Sequence, residues 1–357
     1  MNDVLILLVS LVVILFGAEL FTNGIEWLGR KLGLGEGAVG SVLAAVGTAL
    51  PETLIPIIAI VFATAEGSHE VGVGAILGAP FMLSTLAMFV TGLGVLAFRA
   101  RRATGTALSV DTGVLAHDLR YFFIGYGLAV GAAFIPAELS AGRWIVAVIL
   151  VGLYAWYVKG HLSGEAGDHD EELAPLRMHR LDSGAHRLDP SDPRLRVITA
   201  QVLAALGLII VGAVFFIESV NNVAHALGVS EVLLALVIAP IATELPEKFN
   251  SIIWVRQNKD TLALGNITGA MVFQSAIPTV FGLVLAADTW VVREGSYTAF
   301  ASAAIALIAT AVIFLPAQRR GGLSARHLLV GGVFYLGYLI FVIGLIAGVF
   351  GPAAVSA

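Results

Sequence analysis

Long apolar runs dominate this sequence and leave few folds open to it. Short polar breaks separate ten of these runs, and each run is close to the roughly 20 residues that a helix needs to cross a bilayer core of about 30 Å. They cover residues 4–27, 37–62, 71–98, 121–137, 143–159, 197–222, 231–255, 262–287, 297–316 and 328–350. The pattern predicts an all-α polytopic membrane protein with ten transmembrane helices.

The composition supports this class and excludes others. Of the 357 residues, 58% are hydrophobic and 13% are charged, whereas a soluble domain carries about 25% charged residues. A soluble enzyme and a disordered protein are therefore excluded, and the lipid bilayer is the expected surrounding. The 40 glycines suit helices that approach closely in lipid. The absence of cysteine excludes disulfides and thiolate metal sites, and a net charge of −5 gives no sign of a nucleic-acid partner.

The basic residues predict an orientation in the membrane. Of the 20 lysines and arginines, 17 fall in the odd-numbered breaks, whereas the even-numbered breaks hold Arg143 and Arg293, and Lys248 lies inside a predicted helix. Because loops rich in positive charge stay in the cytoplasm, we expect both termini to lie outside the cell (inner) membrane. The long break at 161–196 is then a cytoplasmic linker. Its composition predicts a solvated, partly disordered segment, and its four histidines leave a regulatory metal site open.

The two halves of the chain match each other. Residues 33–52 and 228–247 align without a gap, are identical at eight of twenty positions, and both end in Leu-Pro-Glu. We therefore predict a first five-helix repeat (1–160), the linker, and a second five-helix repeat (197–357). An odd number of helices per repeat inverts the second repeat relative to the first. This is the architecture of secondary transporters, in which the binding site lies at the midplane between the repeats.

A pair of glutamates lies in the matched segments. Glu52 is expected midway along the second helix and Glu247 midway along the seventh. An unpartnered carboxylate there costs about 3 kcal/mol or more, so intramembrane acids are candidates for function. Thr48 and Thr243 precede the two acids by four residues and so share their helix faces.

Prolines next to these acids free two backbone oxygens. Pro51 and Pro246 have no amide hydrogen, so the carbonyls of Gly47 and Ala242, four residues back, lose their helical partners. Each patch then offers a carboxylate, a hydroxyl and a free carbonyl. Hard cations such as Ca²⁺ and Na⁺ prefer all-oxygen cages of this kind.

These residues resemble the alpha-repeats of the calcium/cation antiporter superfamily, which includes the sodium/calcium exchangers. That family has G-T-S-x-P-E on one helix and G-N-x-x-G-S-N-x-F-N/D on the next, once per half. Here residues 47–52 read GTALPE and 242–247 read ATELPE, while 74–83 read GAILGAPFML and 265–274 read GNITGAMVFQ. The resemblance covers essentially the whole chain.

The resemblance implies a role for each matched residue. Glu52 and Glu247 would be the central cation ligands, and Thr48 and Thr243 would supply hydroxyl or carbonyl oxygens. The implied mechanism is alternating access, in which two helices rock against a rigid remainder and one site takes either Ca²⁺ or the counter-ions. The resemblance thus implies a cation antiporter that transports Ca²⁺, Na⁺ or H⁺, has no cofactor and is not an enzyme.

The chain departs from the family pattern at several of its polar positions. The family's serines and its final Asn or Asp are replaced here by Ala49, Ala79, Leu83, Glu244, Ala270 and Gln274. The first half therefore keeps mainly Glu52 and Thr48, whereas the second half gains Glu244 and Gln274. Because the family's serines help to build separate sodium sites, their loss argues against a stoichiometry of several Na⁺ per Ca²⁺.

Lys248 is a further departure. It follows Glu247 and lies four residues after Glu244, a spacing that allows an ion pair. One interpretation is that Lys248 neutralises Glu244 structurally. The other is that its ammonium group is a built-in counter-charge that lowers cation affinity, makes exchange electroneutral, or couples a proton.

Other functions fit the sequence less well. A cation channel would need a pore-loop signature, and an intramembrane metalloprotease would need His-Glu-x-x-His. An aspartyl-type protease would have paired aspartates, and the pair here is glutamate. Three acids and one lysine suit a divalent cation, but a proton-coupled monovalent cation exchanger stays open.

Overall fold

The structure is a computed structural model that describes residues 2–31, 50–62, 68–136, 139–163, 173–181, 192–228, 244–293, 296–320 and 322–346. Nearly all of this part of the chain is helical, in agreement with the predicted class. The helices in chain order are α1 (Asn2–Lys31), α2 (Leu50–Val61), α3 (Ser68–Met82), α4 (Met88–Phe98), α5 (Thr112–Gly131), α6 (Ser140–Ser163), α7 (Leu195–Leu227), α8 (Leu245–Arg256), α9 (Asp260–Leu285), α10 (Tyr297–Arg320) and α11 (Ala325–Ile346). A π-helical turn (Leu83–Ala87) joins α3 to α4 without a break.

The helices present apolar faces that suit a bilayer. Within the described residues, seven helices are long and apolar enough to cross a membrane, when α3, the π-helical turn and α4 are taken as one. On α6, the side chains of Trp144, Ile145 and Val148 are each more than half exposed. Water-soluble monomers rarely expose apolar surface of this extent. The predicted count of ten spans stays a prediction, because α2 and α8 adjoin residues 32–49 and 229–243, which lie outside the described part.

The predicted bounds of the fourth helix, 121–137, are wrong. α5 begins at Thr112, and Asp111 caps it by accepting hydrogen bonds from the amides of Gly113 at 2.7 Å and Val114 at 3.2 Å. Asp118 and its polar neighbours lie in the first turns of this helix. Hydropathy assigned them to a loop because it registers the polarity of a side chain and not the cap that starts a helix.

α1 packs along α7, and glycines set the distance between the two helices. A Cβ atom at Gly17 would lie 2.9 Å from Ile209 Cγ1, and one at Gly212 would lie 2.8 Å from Ile14 Cγ1. Real side chains do not fit at such distances, so the backbones approach as closely as glycine allows. Together with α2 and α3, these helices enclose an apolar cluster separate from the main core.

α3 and α9 lie at the centre of the molecule. Nearly every residue of α3 is buried, and α9 packs against α2, α3, α5, α6 and α8. The main apolar core extends from these helices to α10 and α11. A short antiparallel pairing of β1 (Ala107–Leu108) with β2 (Leu323–Ser324) holds the loop before α5 against the start of α11.

A buried ion pair fixes the loop after α4 to the corner between α8 and α9. The Arg102 guanidinium donates to both carboxylate oxygens of Asp260, each at 2.7 Å, and to the backbone carbonyls of Val255 and Ala107. The Ser109 amide donates to the same carboxylate at 2.8 Å. Because both charged groups are buried and multiply hydrogen-bonded, this contact ties the first half of the chain to the second.

Part of the linker packs against α1 and α7, which differs from the predicted solvated segment. Leu176 is fully buried beside Trp27, whose indole donates to the Ala174 carbonyl at 2.9 Å. The Met178 amide donates to Gln201 of α7 at 2.8 Å. The apolar side chains of this stretch give it a face to bury, which the overall polarity of the linker concealed. Among the described residues, no group of three His, Cys, Asp or Glu side chains could hold a metal ion.

Candidate cation-binding site

The second Leu-Pro-Glu motif lies at the start of a helix. α8 begins at Leu245, and Glu244 before it has φ −87° and ψ 10°, outside the α-helical region. The predicted helix over 231–255, with Glu247 midway along it, is therefore not one continuous α-helix, because its described part begins at Leu245 and Glu247 falls in the first turn. Pro246 explains this start, since the amide that a proline lacks has no helical acceptor in the first turn of a helix.

The first Leu-Pro-Glu motif opens the described part of α2. Leu50, Pro51 and Glu52 are the first three residues of this helix. α2 and α8 are both 12 residues long as described. Each packs against the helix that carries the other family motif of its own half, α3 or α9. We call this second motif the glycine motif; it covers residues 74–83 in the first half and 265–274 in the second. In each half, the acidic motif and the glycine motif therefore lie on neighbouring helices.

Several predicted ligands lie outside the described residues. These are Gly47, Thr48, Ala242 and Thr243. For Glu52 and Glu247, the structure describes the backbone and not the side chain. The roles that the resemblance implies for these residues stay predictions.

Glu244 and Lys248 form the ion pair that their spacing predicts. Lys248 Nζ lies 3.2 Å from Glu244 Oε2, and the two side chains are 6% and 1% exposed. The Lys248 amide also donates to the Glu244 carbonyl at 3.3 Å. Removing one partner of a buried pair costs roughly 3–5 kcal/mol, because the other charge stays buried. The oppositely charged side chains of Glu244 and Lys248 therefore form a neutral pair on either side of Pro246 and Glu247 in the sequence.

Gln274 of α9 places an amide oxygen in the protein interior. The residue is 1% exposed, and its Oε1 atom has no hydrogen-bond partner among the described residues. Buried polar atoms almost always have a partner, so this oxygen is a candidate ligand for a cation. Pro278 removes the helical partner of the Gln274 backbone carbonyl, and the Thr279 hydroxyl donates to that carbonyl at 3.3 Å. The Gln274 backbone carbonyl thus has a hydrogen-bond partner. The Gln274 side-chain oxygen has none among the described residues and is available to bind a cation.

The π-helical turn (Leu83–Ala87), at the end of the first glycine motif (residues 74–83), was not predicted from the sequence. Its Ser84 and Thr85 are fully buried, and their hydroxyls donate to the Phe81 carbonyl at 3.1 and 2.5 Å. Pro80 lies three residues before this turn and removes one hydrogen bond of the preceding helix. Turns of this type are frequent at functional sites. Two hydroxyl residues shortly after a proline were the available signal, and they directly follow Leu83, where the family has Asn or Asp.

Comparison with known proteins gives the family. The sequence profile described as "Sodium/calcium exchanger protein" matches residues 2–160 and 197–347, which is most of the chain. The chain belongs to the sodium/calcium exchanger family. It is therefore an integral membrane antiporter of the calcium/cation exchanger class, as the paired motifs indicate.

Individual exchangers resemble the chain over most of its length. The sodium/calcium exchanger MaX1 of Methanosarcina acetivorans is 25% identical over 278 residues, covering 74% of this chain and 78% of the relative. The crystal structure of the H⁺/Ca²⁺ exchanger CAX matches with a TM-score of 0.69 at 14% identity, covering 97% of this chain and 85% of that one. The sodium-calcium exchanger NCX_Mj matches with a TM-score of 0.54 at 18% identity, covering 95% and 97%. This exchanger therefore shares its fold with both solved proteins.

Proposed function

We propose that this exchanger is a secondary active antiporter that moves Ca²⁺, or a similar cation, against Na⁺ or H⁺ by alternating access. The observation that carries the proposal is the helix start at Leu245, directly after Glu244, whose backbone lies outside the α-helical region. A buried acid stands there directly before a Leu-Pro-Glu helix start. Discontinuous helices with polar groups at the break form the ion sites of secondary transporters.

The proposed ligand set draws on both halves of the chain. Glu52 and Glu247 are the central ligands, and Thr48 and Thr243 add hydroxyl or carbonyl oxygens. The remaining oxygens come from the freed carbonyls of Gly47 and Ala242, and from Glu244 and Gln274 of the second half. Support comes from the buried, unpartnered Oε1 of Gln274 and from the packing of each Pro-Glu helix against its own motif helix. A cage of oxygens suits a hard cation.

The proposed mechanism uses the two-repeat organisation that the sequence predicts. Residues 1–160 and 197–357 form inverted five-helix repeats around the site, and the linker (161–196) lies in the cytoplasm. The close contact of α1 with α7, in a cluster separate from the main core, supports a unit that moves against the remainder. Opening to each side of the membrane in turn then exchanges one bound ion for the other.

One observation favours a second candidate function, proton-coupled exchange of a monovalent cation. Lys248 cancels the charge of Glu244 inside the protein. The second half therefore contributes less negative charge than its two acidic candidate ligands, Glu244 and Glu247, suggest. A site with less negative charge needs less positive charge to balance it, and a monovalent cation meets that condition.

Transport by purified protein in proteoliposomes tests both candidates. Vesicles loaded with Na⁺, or made acidic inside, should take up external Ca²⁺ only while the counter-ion gradient lasts. Parallel assays with Na⁺, K⁺ and Mn²⁺ at two pH values separate the divalent from the monovalent exchanger. Glu52→Gln and Glu247→Gln should each abolish uptake, because each removes a charged ligand. Glu218→Gln, at an exposed position on α7, should retain it.

Two results would contradict the proposal. Uptake that ignores the counter-ion gradient would indicate a channel. Uptake that survives Glu52→Gln combined with Glu247→Gln would show that the ion binds elsewhere.

A further inference from the structure

A buried carboxyl group lies at the junction of three helices, apart from the candidate cation site. Asp118 of α5 is 1% exposed. Its Oδ1 accepts a hydrogen bond from the Tyr157 hydroxyl of α6 at 2.9 Å, and its Oδ2 lies 2.6 Å from the Thr268 hydroxyl of α9. A contact that only joined helices would need no ionisable group, since a neutral amide can accept from one hydroxyl and donate to the other at a lower cost of burial.

The Thr268 hydroxyl has one hydrogen to donate and two acceptors within reach. It lies 2.6 Å from Asp118 Oδ2 and 3.0 Å from the Leu264 carbonyl oxygen. When Asp118 is ionised, the hydroxyl donates to the carboxylate. When Asp118 is protonated, its own O–H donates to Thr268 Oγ1, and the threonine hydrogen turns to Leu264. Both protonation states are hydrogen-bonded with the same heavy-atom positions, so neither leaves a buried group without a partner.

A route for the proton leads through the neighbouring helix. The ring of Tyr157 stacks on that of His117, with centroids 5.4 Å apart and planes at 20°. His117 lines a cavity of about 550 Å³ between α5 and α6, together with Arg120, Tyr121 and Trp156. A cavity of this volume has room for water. One layer of side chains therefore separates Asp118 from a source of protons.

We propose that Asp118 binds and releases a proton during the exchange cycle, with Thr268 as the hydroxyl that switches acceptor. The inference rests on the proposed antiporter function and adds to it a proton site on α5. The proton moves from water in the cavity to a carboxylate oxygen of Asp118 and back, and no other covalent bond changes.

α9 connects this proton site to the candidate cation site. Thr268 and Gln274 are six residues apart on this helix, which is about 9 Å at 1.5 Å per residue. α8, which carries Lys248, also packs on α9, where the Ser251 hydroxyl donates to the Ala263 carbonyl at 3.0 Å. A change of hydrogen bonding at Thr268 therefore acts on the helix that carries Gln274 and packs against α8.

The charged and titratable groups around Asp118 come from four elements. On α6, Tyr157 faces the carboxyl group and Tyr154 stacks on Tyr157. On α9, Thr268 faces it, and the acid at the start of the helix, Asp260, is held by Arg102. On α5 itself, His117 and Tyr121 lie against Tyr157, and Arg120 lines the same cavity. α10 has its titratable side chains only at its ends, Tyr297, Arg319 and Arg320.

The test measures cation uptake and internal pH together in proteoliposomes, over an acid-to-alkaline series. Asp118→Asn keeps a hydrogen-bonding side chain and removes the proton site, so it should abolish the pH dependence of uptake. Thr268→Val should shift the midpoint of the pH profile of uptake, because it removes the hydroxyl that hydrogen-bonds to Asp118 in both protonation states. The matched control is Thr310→Val, whose hydroxyl makes the same bond to the carbonyl four residues back, at 2.7 Å. It should leave the profile unchanged.

Infrared spectroscopy tests the proton site without transport. The wild type should show a protonated-carboxyl band that titrates with pH and is missing in Asp118→Asn. If the wild type transports no cation but shows this band, the antiporter proposal fails and the proton site stands. If the wild type transports and Asp118→Asn keeps the same pH profile and the same band, the proton site is refuted. Should Asp118→Asn fail to fold, Thr268→Val decides: a shifted midpoint supports the proposal, and a midpoint equal to that of Thr310→Val overturns it.

Discussion

Lys248 sets the charge of the candidate site at the scale of a single residue. A carboxylate at Glu244 by itself would give the second half one more negative charge beside Glu247. The ammonium group 3.2 Å from Glu244 cancels that charge within the interior. Because divalent cations are bound most tightly by sites with several uncompensated carboxylates, Lys248 is expected to hold the affinity for Ca²⁺ down. Low affinity favours release on the far side of the membrane.

Replacing this lysine tests its role as a counter-charge. Lys248→Ala should raise the apparent affinity for Ca²⁺ about tenfold, equivalent to about 1.4 kcal/mol, and should change the pH dependence of uptake. Lys159→Ala, at an exposed position on α6, is the control and should change neither. Titration of uptake against Ca²⁺ at several pH values measures both effects. An unchanged apparent affinity for Ca²⁺ and an unchanged pH dependence in Lys248→Ala would leave this lysine with a structural role alone.

At the scale of elements, the contact between α1 and α7 depends on the absence of side chains. Gly212 faces Ile14 across the contact, whereas a Cβ atom at Gly207, five residues earlier on the same helix, would have nothing within 4 Å. Small residues let two helices approach closely in lipid and pack as one unit. Gly212 therefore allows the close contact with α1 and Gly207 has no part in it, although hydropathy gives both residues the same value.

A pair of alanine substitutions separates the two glycines. Gly212→Ala would bring a methyl group to 2.8 Å from Ile14 Cγ1 and 3.1 Å from the Ser10 carbonyl oxygen, and should destabilise the protein by about 1–3 kcal/mol. Gly207→Ala meets no atom and should be neutral or stabilising by up to about 1 kcal/mol, since alanine is the better helix former. Thermal unfolding of the two variants in detergent measures the difference. Equal unfolding temperatures would show that the contact tolerates a side chain.

At the scale of the whole molecule, the orientation in the membrane follows from the distribution of basic residues. The predicted cytoplasmic side has 17 of the 20 lysines and arginines. One of them, Arg102, is buried against Asp260 and serves the fold as well. The others are expected to lie on the cytoplasmic side, because loops rich in positive charge stay inside.

Single cysteines test this orientation directly, because the chain has no cysteine of its own. Leu181→Cys lies in the linker and Tyr297→Cys lies at the start of α10, and both positions are well exposed. In intact cells, a membrane-impermeant maleimide should label Tyr297→Cys and should label Leu181→Cys only after the membrane is opened. The reverse labelling pattern would place the linker outside and invert the predicted topology.

The helical architecture could be predicted because it depends on the length and spacing of the apolar runs. A run of about 20 such residues has no other way to satisfy its backbone in lipid, so α1, α7 and α9 lie close to where the sequence predicts them. The spacing of Glu244 and Lys248 likewise predicted their ion pair, since residues four apart on a helix are neighbours by geometry. Family membership rested on the two Pro-Glu motifs, which are also local in sequence.

The sequence by itself determined the class of protein, the family and the ion pair, because each depends on residues close together in the chain. Only the tertiary structure decided where α8 begins, that part of the linker packs on α1 and α7, and that Asp118 is buried between Tyr157 and Thr268. These features depend on which helices pass one another, and contacts between distant segments leave no period or spacing in a single sequence. Asp118 shows the difference most clearly, because its polarity predicted a loop and its neighbours from α6 and α9 place it in the interior.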